Sequence, residues 1–156
     1  LFASGTASYA NPELTLNFTH QMARLIFKVY TSPEYGFTTN EFDGSMLTFL
    51  GYFESGTFNI KTGEVKAKEV YVDANYYGEA KDDHAEFTLY VPAQQMPDLR
   101  LELDNGEVFS FLTSDIWKAG HSYTYSLKPV RNKLEVISTT ITPWTVESEK
   151  EYEGYE

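Results

Sequence analysis

The chain predicts an all-β fold, an antiparallel β-sandwich of seven to nine strands, and three observations predict it. Apolar and polar residues alternate with period two in several short segments, which puts one set on each face of a sheet. Turns rich in glycine, proline and asparagine separate those segments at short intervals. No segment holds a helical period beyond one turn, so helices have no place in the layer scheme.

The longest such segment is Trp117 to Trp144, bracketed by the two tryptophans of the sequence. Tyr123, Tyr125 and Leu127 alternate with Thr124, Ser126 and Lys128. The return run, Leu134 to Ile141, is built of Val, Ile and Thr, whose branched Cβ suits a pleated surface. Pro129 to Lys133 connects the two, and Ala119-Gly120 breaks the chain before the first. Two strands of this length are expected to form the centre of a sheet.

In chain order, residues 1–13 read as an extended lead-in and linker ended by Asn11-Pro12. Leu14, Leu16 and Phe18 predict a strand, as do Leu25, Phe27 and Val29 with Arg24, Lys28 and Tyr30 facing outward. The apolar parity switches from even to odd between them, so His20-Gln21-Met22-Ala23 is expected to be a bulge or a single helical turn. Residues 31–45 read as a loop, and Met46 to Phe53 as a strand. Lys61-Thr62-Gly63-Glu64 predicts a tight turn with positive φ at the glycine. Tyr71 to Asp83 reads as irregular. Phe87, Leu89 and Val91 form a strand ending at Pro92, and Leu99, Leu101 and Leu103 the next. Asp104-Asn105-Gly106-Glu107 then turns the chain into Val108 to Leu112. The sandwich therefore spans 14–144, and 145–156, with its five glutamates, is expected to be a disordered acidic tail.

At 156 residues the chain suffices for one domain, and 42% hydrophobic residues suffice for its core. The formal charge is −11, from 23 acidic and 12 basic residues. An acidic surface repels phosphate backbones and anionic lipid, so nucleic acid is not an expected partner. No apolar run approaches the roughly 20 residues that span a bilayer as a helix. Cysteine is absent, which removes disulfides, thiolate zinc sites and cysteine nucleophiles together. Leu1-Phe2-Ala3 reads as the interior of a longer precursor.

No catalytic, cofactor or metal site is predicted. His20, His84 and His121 are far apart and lack metal-ligand spacing. Asp82-Asp83-His84 and Asp104 to Glu107 offer oxygens to Ca²⁺, but neither has the twelve-residue calcium loop, and the second is explained as a turn. Serine lacks a nucleophile-elbow pattern, and a glycine-rich phosphate loop is missing. The surplus is aromatic, with twelve tyrosines, eleven phenylalanines and two tryptophans. Phe18, Phe27, Phe87, Phe109, Phe111 and Tyr125 are expected to fill the interior. Tyr30, Tyr76, Tyr77 and Tyr90 are expected to face outward, where they could stack on sugar rings or meet a partner protein.

Two blocks carry more than composition. Leu14-Thr-Leu-Asn-Phe-Thr-His20 runs on into Gln-Met-Ala-Arg-Leu-Ile-Phe27. Trp117-Lys-Ala-Gly120 with Tyr123-Thr-Tyr125 is followed by Leu134-Glu-Val136 and Ile141-Thr-Pro-Trp144. Together they resemble the fimbrillin family of Bacteroidota, with its Phe-x-His and Ala-Lys/Arg-Leu signature and its Trp-x-x-Gly-x-x-Tyr-x-Tyr hairpin closing in Ile-x-x-Trp. Leu1-Phe2-Ala3 and Val91-Pro92-Ala93-Gln94 are similar to short pieces of the same relatives.

The resemblance implies a transthyretin-like sandwich, exported as a lipoprotein precursor and displayed in a fimbria at the outer membrane. It also implies other fimbrial subunits as partners, joined by strand exchange, in which an extended segment of one subunit completes a sheet of the next. Relatives carry a lipid-bearing cysteine and an amino-terminal domain that this sequence does not contain. The glutamate-rich tail lacks the alternating apolar residues of a donor strand, so a tip or accessory role is expected over a stalk role. The competing expectation, from the outward tyrosines, is a cell-surface glycan-binding module. An enzymatic reading rests on no motif.

Overall fold

A computed structural model of the chain describes residues 1–10, 14–38, 42–112, 114–130 and 133–145. In chain order the strands are β1 (Ala23–Tyr30), β2 (Met46–Phe53), β3 (Gly56–Phe58), β4 (Val65–Ala67), β5 (Tyr71–Tyr77), β6 (Glu79–Ala80) and β7 (His84–Val91). They continue with β8 (Gln94–Gln95), β9 (Asp98–Glu102), β10 (Val108–Phe111), β11 (Ile116–Trp117), β12 (His121–Val130) and β13 (Lys133–Pro143). Two sheets face each other, ordered β13-β12-β1-β7-β6 and β10-β9-β2-β5. Their nine strands form the sandwich, and β3–β4 and β8–β11 are two small ribbons beside it. Among the described residues the helical content is one 3₁₀ turn, Pro33–Tyr35.

The period-two pattern decides what each sheet buries. Leu25, Phe27 and Val29 of β1, Phe87, Leu89 and Val91 of β7, and Tyr123, Tyr125 and Leu127 of β12 are all buried. From the other sheet come Leu47, Phe49 and Tyr52, then Leu99 and Leu101, then Phe109 and Phe111. Phe27 lies at the middle, stacked on Tyr125 at 4.9 Å and edge-on to Phe49 at 5.7 Å. These ring geometries add to area burial, which is worth about 25 cal/mol per Å².

The polar side-chain atoms that the start of the hairpin takes inside are paired, whereas buried Ser45 Oγ and His84 Nε2 have no hydrogen-bond partner among the described residues. Trp117 Nε1–H donates to the Tyr125 hydroxyl at 3.0 Å, and that hydroxyl donates to Asp115 Oδ2 at 3.0 Å. Burial pushes the Tyr125 phenol well above the usual tyrosine range. Tyr123 Oη accepts the Lys118 N–H at 2.8 Å and donates to the Ile116 carbonyl at 3.2 Å. Satisfied groups of this kind contribute about 1 kcal/mol each, and an unpaired one costs more. The hairpin is therefore pinned at its start by its own aromatics.

Several sequence expectations change. The Trp117–Trp144 hairpin is not the centre of its sheet: β1 is, and β13 is an edge. The sheet is mixed, because β1 pairs β12 in parallel, Phe27 beside Tyr125, and β7 antiparallel. That parallel pair joins segments about a hundred residues apart, and alternation along one strand carries no information about its neighbour's direction. Residues 14–18 form no strand. Their side chains stay largely exposed, and Phe18, expected in the core, is 52% exposed. An alternating run without an edge to pair with has nothing to bury its face against. The parity switch at His20 to Ala23 thus marks the entry to β1, with no bulge between two strands. Tyr71–Tyr77, read as irregular, is β5, with Val72, Ala74 and Tyr76 turned toward the core.

The lead-in is held at one point. Phe2 and Thr19 exchange backbone hydrogen bonds of 2.9 Å, and the Phe2 ring packs edge-on to Phe58 at 5.9 Å. It also covers Gly63, whose φ of 75° fits the expected turn, so that a Cβ there would overlap the ring. Asn11-Pro12 and the tail from residue 146 lie outside the described residues.

Candidate functional site

Two surfaces stand out, and both derive from the hairpin. The first is the free side of β13. Leu127 pairs with Val136 and Tyr123 with Ile141, so Val136 and Ile141 lie on the core-side face. Ile137 is the extra residue where the register shifts. A core-side face should be covered, but the second sheet ends at β10, which meets β13 along only part of its length. Val136, Ile137 and Ile141 remain 43%, 54% and 55% exposed. Exposed Ile116 of β11 shares a cleft of about 220 Å³ with Ile141. The run Val136 to Thr142 has no charge and no proline, the devices that usually keep an edge from pairing.

The second surface lies on the outer face, at the end of the sheet where β1 starts. Cross-strand register sets Thr142, Ser122, Arg24 and Tyr90 in one row over β13, β12, β1 and β7. Trp144 follows β13 and is fastened over this row by its N–H, which donates to the Gly120 carbonyl at 2.7 Å. Gly120 N–H donates in turn to the Met22 carbonyl at 3.0 Å, with φ of 71°. Around the Trp144 indole stand His20, stacked at 3.4 Å and 10°, Tyr90, stacked at 5.3 Å and 19°, and the Arg24 guanidinium at 5.6 Å. Desolvation, with the Arg24 charge nearby, holds the His20 imidazole below its usual range. Cavities of about 370 Å³ and 610 Å³ open on either side, and both are lined by Leu1, His20 and Trp144.

The four predicted tyrosines do not converge. Tyr30 packs against His84 at 5.0 Å, at the opposite end of β1 from Arg24. Tyr76 does not face outward: it turns in, its hydroxyl hydrogen-bonded to that of Tyr52 and its ring edge-on to Phe49. Tyr77 is 73% exposed on β5, in the other sheet. Tyr90 alone reaches the cleft at Trp144. The cleft's other members, Arg24, His20 and Trp144, were legible only as motif letters, because their meeting depends on register.

The acidic segments resolve into local structure. His84 Nδ1 sits 2.6 Å from Asp83 Oδ1, and the Asp104 to Glu107 turn closes with Gly106 N–H on the Leu103 carbonyl at 2.9 Å. Among the described residues no group of three His, Cys, Asp or Glu is placed to hold a metal, and no helix is long and apolar enough to cross a membrane.

Among the described residues the fold is thus a two-sheet sandwich with β13 unpaired on one side and a shallow aromatic cleft on its outer face. The fimbrillin-like family model matches residues 1–144, and the chain belongs to that family. Membership places it with fimbrial proteins and not with enzymes.

Among solved structures, a candidate cell-adhesion protein of Bacteroides uniformis is similar with a TM-score of 0.72 at 18% identity, over 87% of this chain and 55% of that one. One of Bacteroides ovatus gives 0.64 at 22%, over 86% and 49%. A tip fimbrial protein of Porphyromonas gingivalis, truncated at its C-terminus, gives 0.51 at 10%, over 90% and 60%. These likenesses show a shared fold, and the chain spans about half of each neighbour's length. No curated protein sequence matches it.

Proposed function

We propose that this chain is the assembling domain of a fimbrial subunit, and that an extended strand of a neighbouring subunit pairs along the free edge of β13. The observation that carries this reading is the uncharged run Val136–Thr142, exposed on an open edge beside an uncovered apolar face. Such an edge presents unpaired N–H and C=O groups at about every second residue, and an incoming strand satisfies them. Its alternating side chains would cover Val136, Ile137, Ile141 and Ile116. Family membership further supports export as a lipoprotein precursor and display at the outer membrane.

The test is made on surface material sheared from producing cells and blotted for this domain, unboiled and boiled, on a denaturing gel. A species above monomer size that collapses on boiling supports strand-paired assembly. A regular ladder would make the subunit a stalk component, and a single heteromeric band a tip or accessory one. Monomer alone in both lanes would remove the assembly reading.

A further inference from the structure

The cleft at Trp144 lies on the outer face of the sheet and reaches β13 only at Thr142 and Pro143, so its chemistry stands apart from the edge pairing of the assembly reading. Arg24 is its chemical centre. Its Nε–H donates to Ser122 Oγ at 2.9 Å, a bond that fixes the guanidinium and leaves both terminal nitrogens to other partners. Lys28, Lys81, Arg100 and Lys128 each meet a carboxylate. Among the described residues Arg24 meets none, and unlike Lys61, Lys66, Lys68 and Lys118, which are unpaired but exposed to solvent, it is half-buried. A half-buried guanidinium with its fork unused is the protein's usual receptor for a planar carboxylate.

The surroundings narrow the ligand. Beside Arg24 stand the rings of His20, Trp144 and Tyr90, then Thr142 and Thr145 on one side and Gln21 on the other. Aromatic faces with hydroxyl and amide groups suit a molecule that is apolar on its ring faces and polar at its rim. The two cavities have the size of small-ligand sites, which run from about 300 to 1,000 Å³. An extended peptide would need a free backbone edge, and Arg24 and Ser122 at the centre of the cleft lie on β1 and β12, whose backbones are bonded on both sides there.

We propose that this cleft binds an acidic saccharide of the uronic- or sialic-acid type, with its carboxylate on the Arg24 guanidinium and its ring against the Tyr90–Trp144 pair.

The experiment is a titration of the ¹⁵N-labelled chain with glucuronic acid, galacturonic acid and N-acetylneuraminic acid. Glucose serves as the neutral control and acetate as the bare carboxylate. Trp144 and Trp117 each give one indole N–H resonance. With an acidic sugar the Trp144 signal is expected to move saturably while that of fully buried Trp117 stays. A Kd on the order of 1 mM is expected, the affinity that a ligand of about 13 non-hydrogen atoms reaches. Arg24→Gln should weaken binding about tenfold or more, and Arg24→Lys by less. Tyr90→Ala, a change at an exposed side chain, tests the ring contact independently should Arg24→Gln disturb the fold. Equal binding of glucose, full reproduction of the shift by acetate, or unaltered affinity in both Arg24→Gln and Tyr90→Ala would each overturn the proposal.

Discussion

Replacing Ile137 and Ile141 together by lysine should separate assembly from folding. Both side chains are more than half exposed on β13. Full burial of an isoleucine side chain is worth about 1.5–3 kcal/mol. The half that a partner strand would still cover is therefore worth about 1 kcal/mol per residue, or about 2 kcal/mol for the pair. That is ~30-fold in an association constant, before the cost of placing two ammonium groups beside an incoming strand. The isolated domain has little to lose, since surface substitutions usually change stability by less than ~0.5 kcal/mol each. The assay compares wild-type and variant cells by the boiled and unboiled blot, alongside urea unfolding of the purified chains. Loss of the large species with a nearly unchanged unfolding midpoint is expected. A variant that assembles as well as the wild type would refute the assignment of β13 as the pairing edge.

Three further outcomes concern the interior and the Trp144 closure. Phe27→Ala empties the centre of the aromatic core and should cost about 3–5 kcal/mol by urea unfolding; a loss under ~1.5 kcal/mol would mean that the site collapses around the void. Gly120→Ala forces a side chain into the left-handed region at φ 71° and should cost about 1–2 kcal/mol. It should also make Trp144 fluorescence more accessible to quenchers, whereas unchanged stability would contradict the positive φ. Burial holds the Tyr52 and Tyr125 phenols well above the ordinary value of about 10. The unfolded chain releases those protons first, so the stability these groups contribute is present below about pH 10 and lost as pH rises beyond it. Phenolate absorbance followed with circular dichroism should show a cooperative step coincident with unfolding, smaller in Tyr125→Phe, and ionisation of every tyrosine in the intact fold would be the contrary result.

Much of the sandwich was legible because burial and alternation are the same fact seen twice. Leu25-Phe27-Val29, Phe87-Leu89-Val91 and Tyr123-Tyr125-Leu127 announce their inward faces in sequence, and all nine are buried. The turns at Gly63 and Gly106 were equally plain, since each needs a positive φ that other residues rarely adopt. Leu14-Leu16-Phe18 misled for a complementary reason. It has the alternation of a strand but no neighbouring edge, and a strand exists only as half of a pair. Tyr71–Tyr77 concealed its period by placing tyrosine on both faces, with small Ala74 as an inward residue. Of the candidate cleft, Tyr90 was reached by its outward parity, while Arg24, His20 and Trp144 come from three separate stretches of chain.

Local physical chemistry, written residue by residue, determined the all-β class, most strand positions, the inward faces and the absence of cysteine chemistry. Strand order, the parallel β1–β12 pair and the exposure of β13 were decided only by the tertiary structure. Each depends on which edges meet across long loops, a choice made by the packing of the whole core. The same holds for the row Thr142–Ser122–Arg24–Tyr90. Alternation tells every residue which face it occupies, but register alone tells it which residue stands beside it.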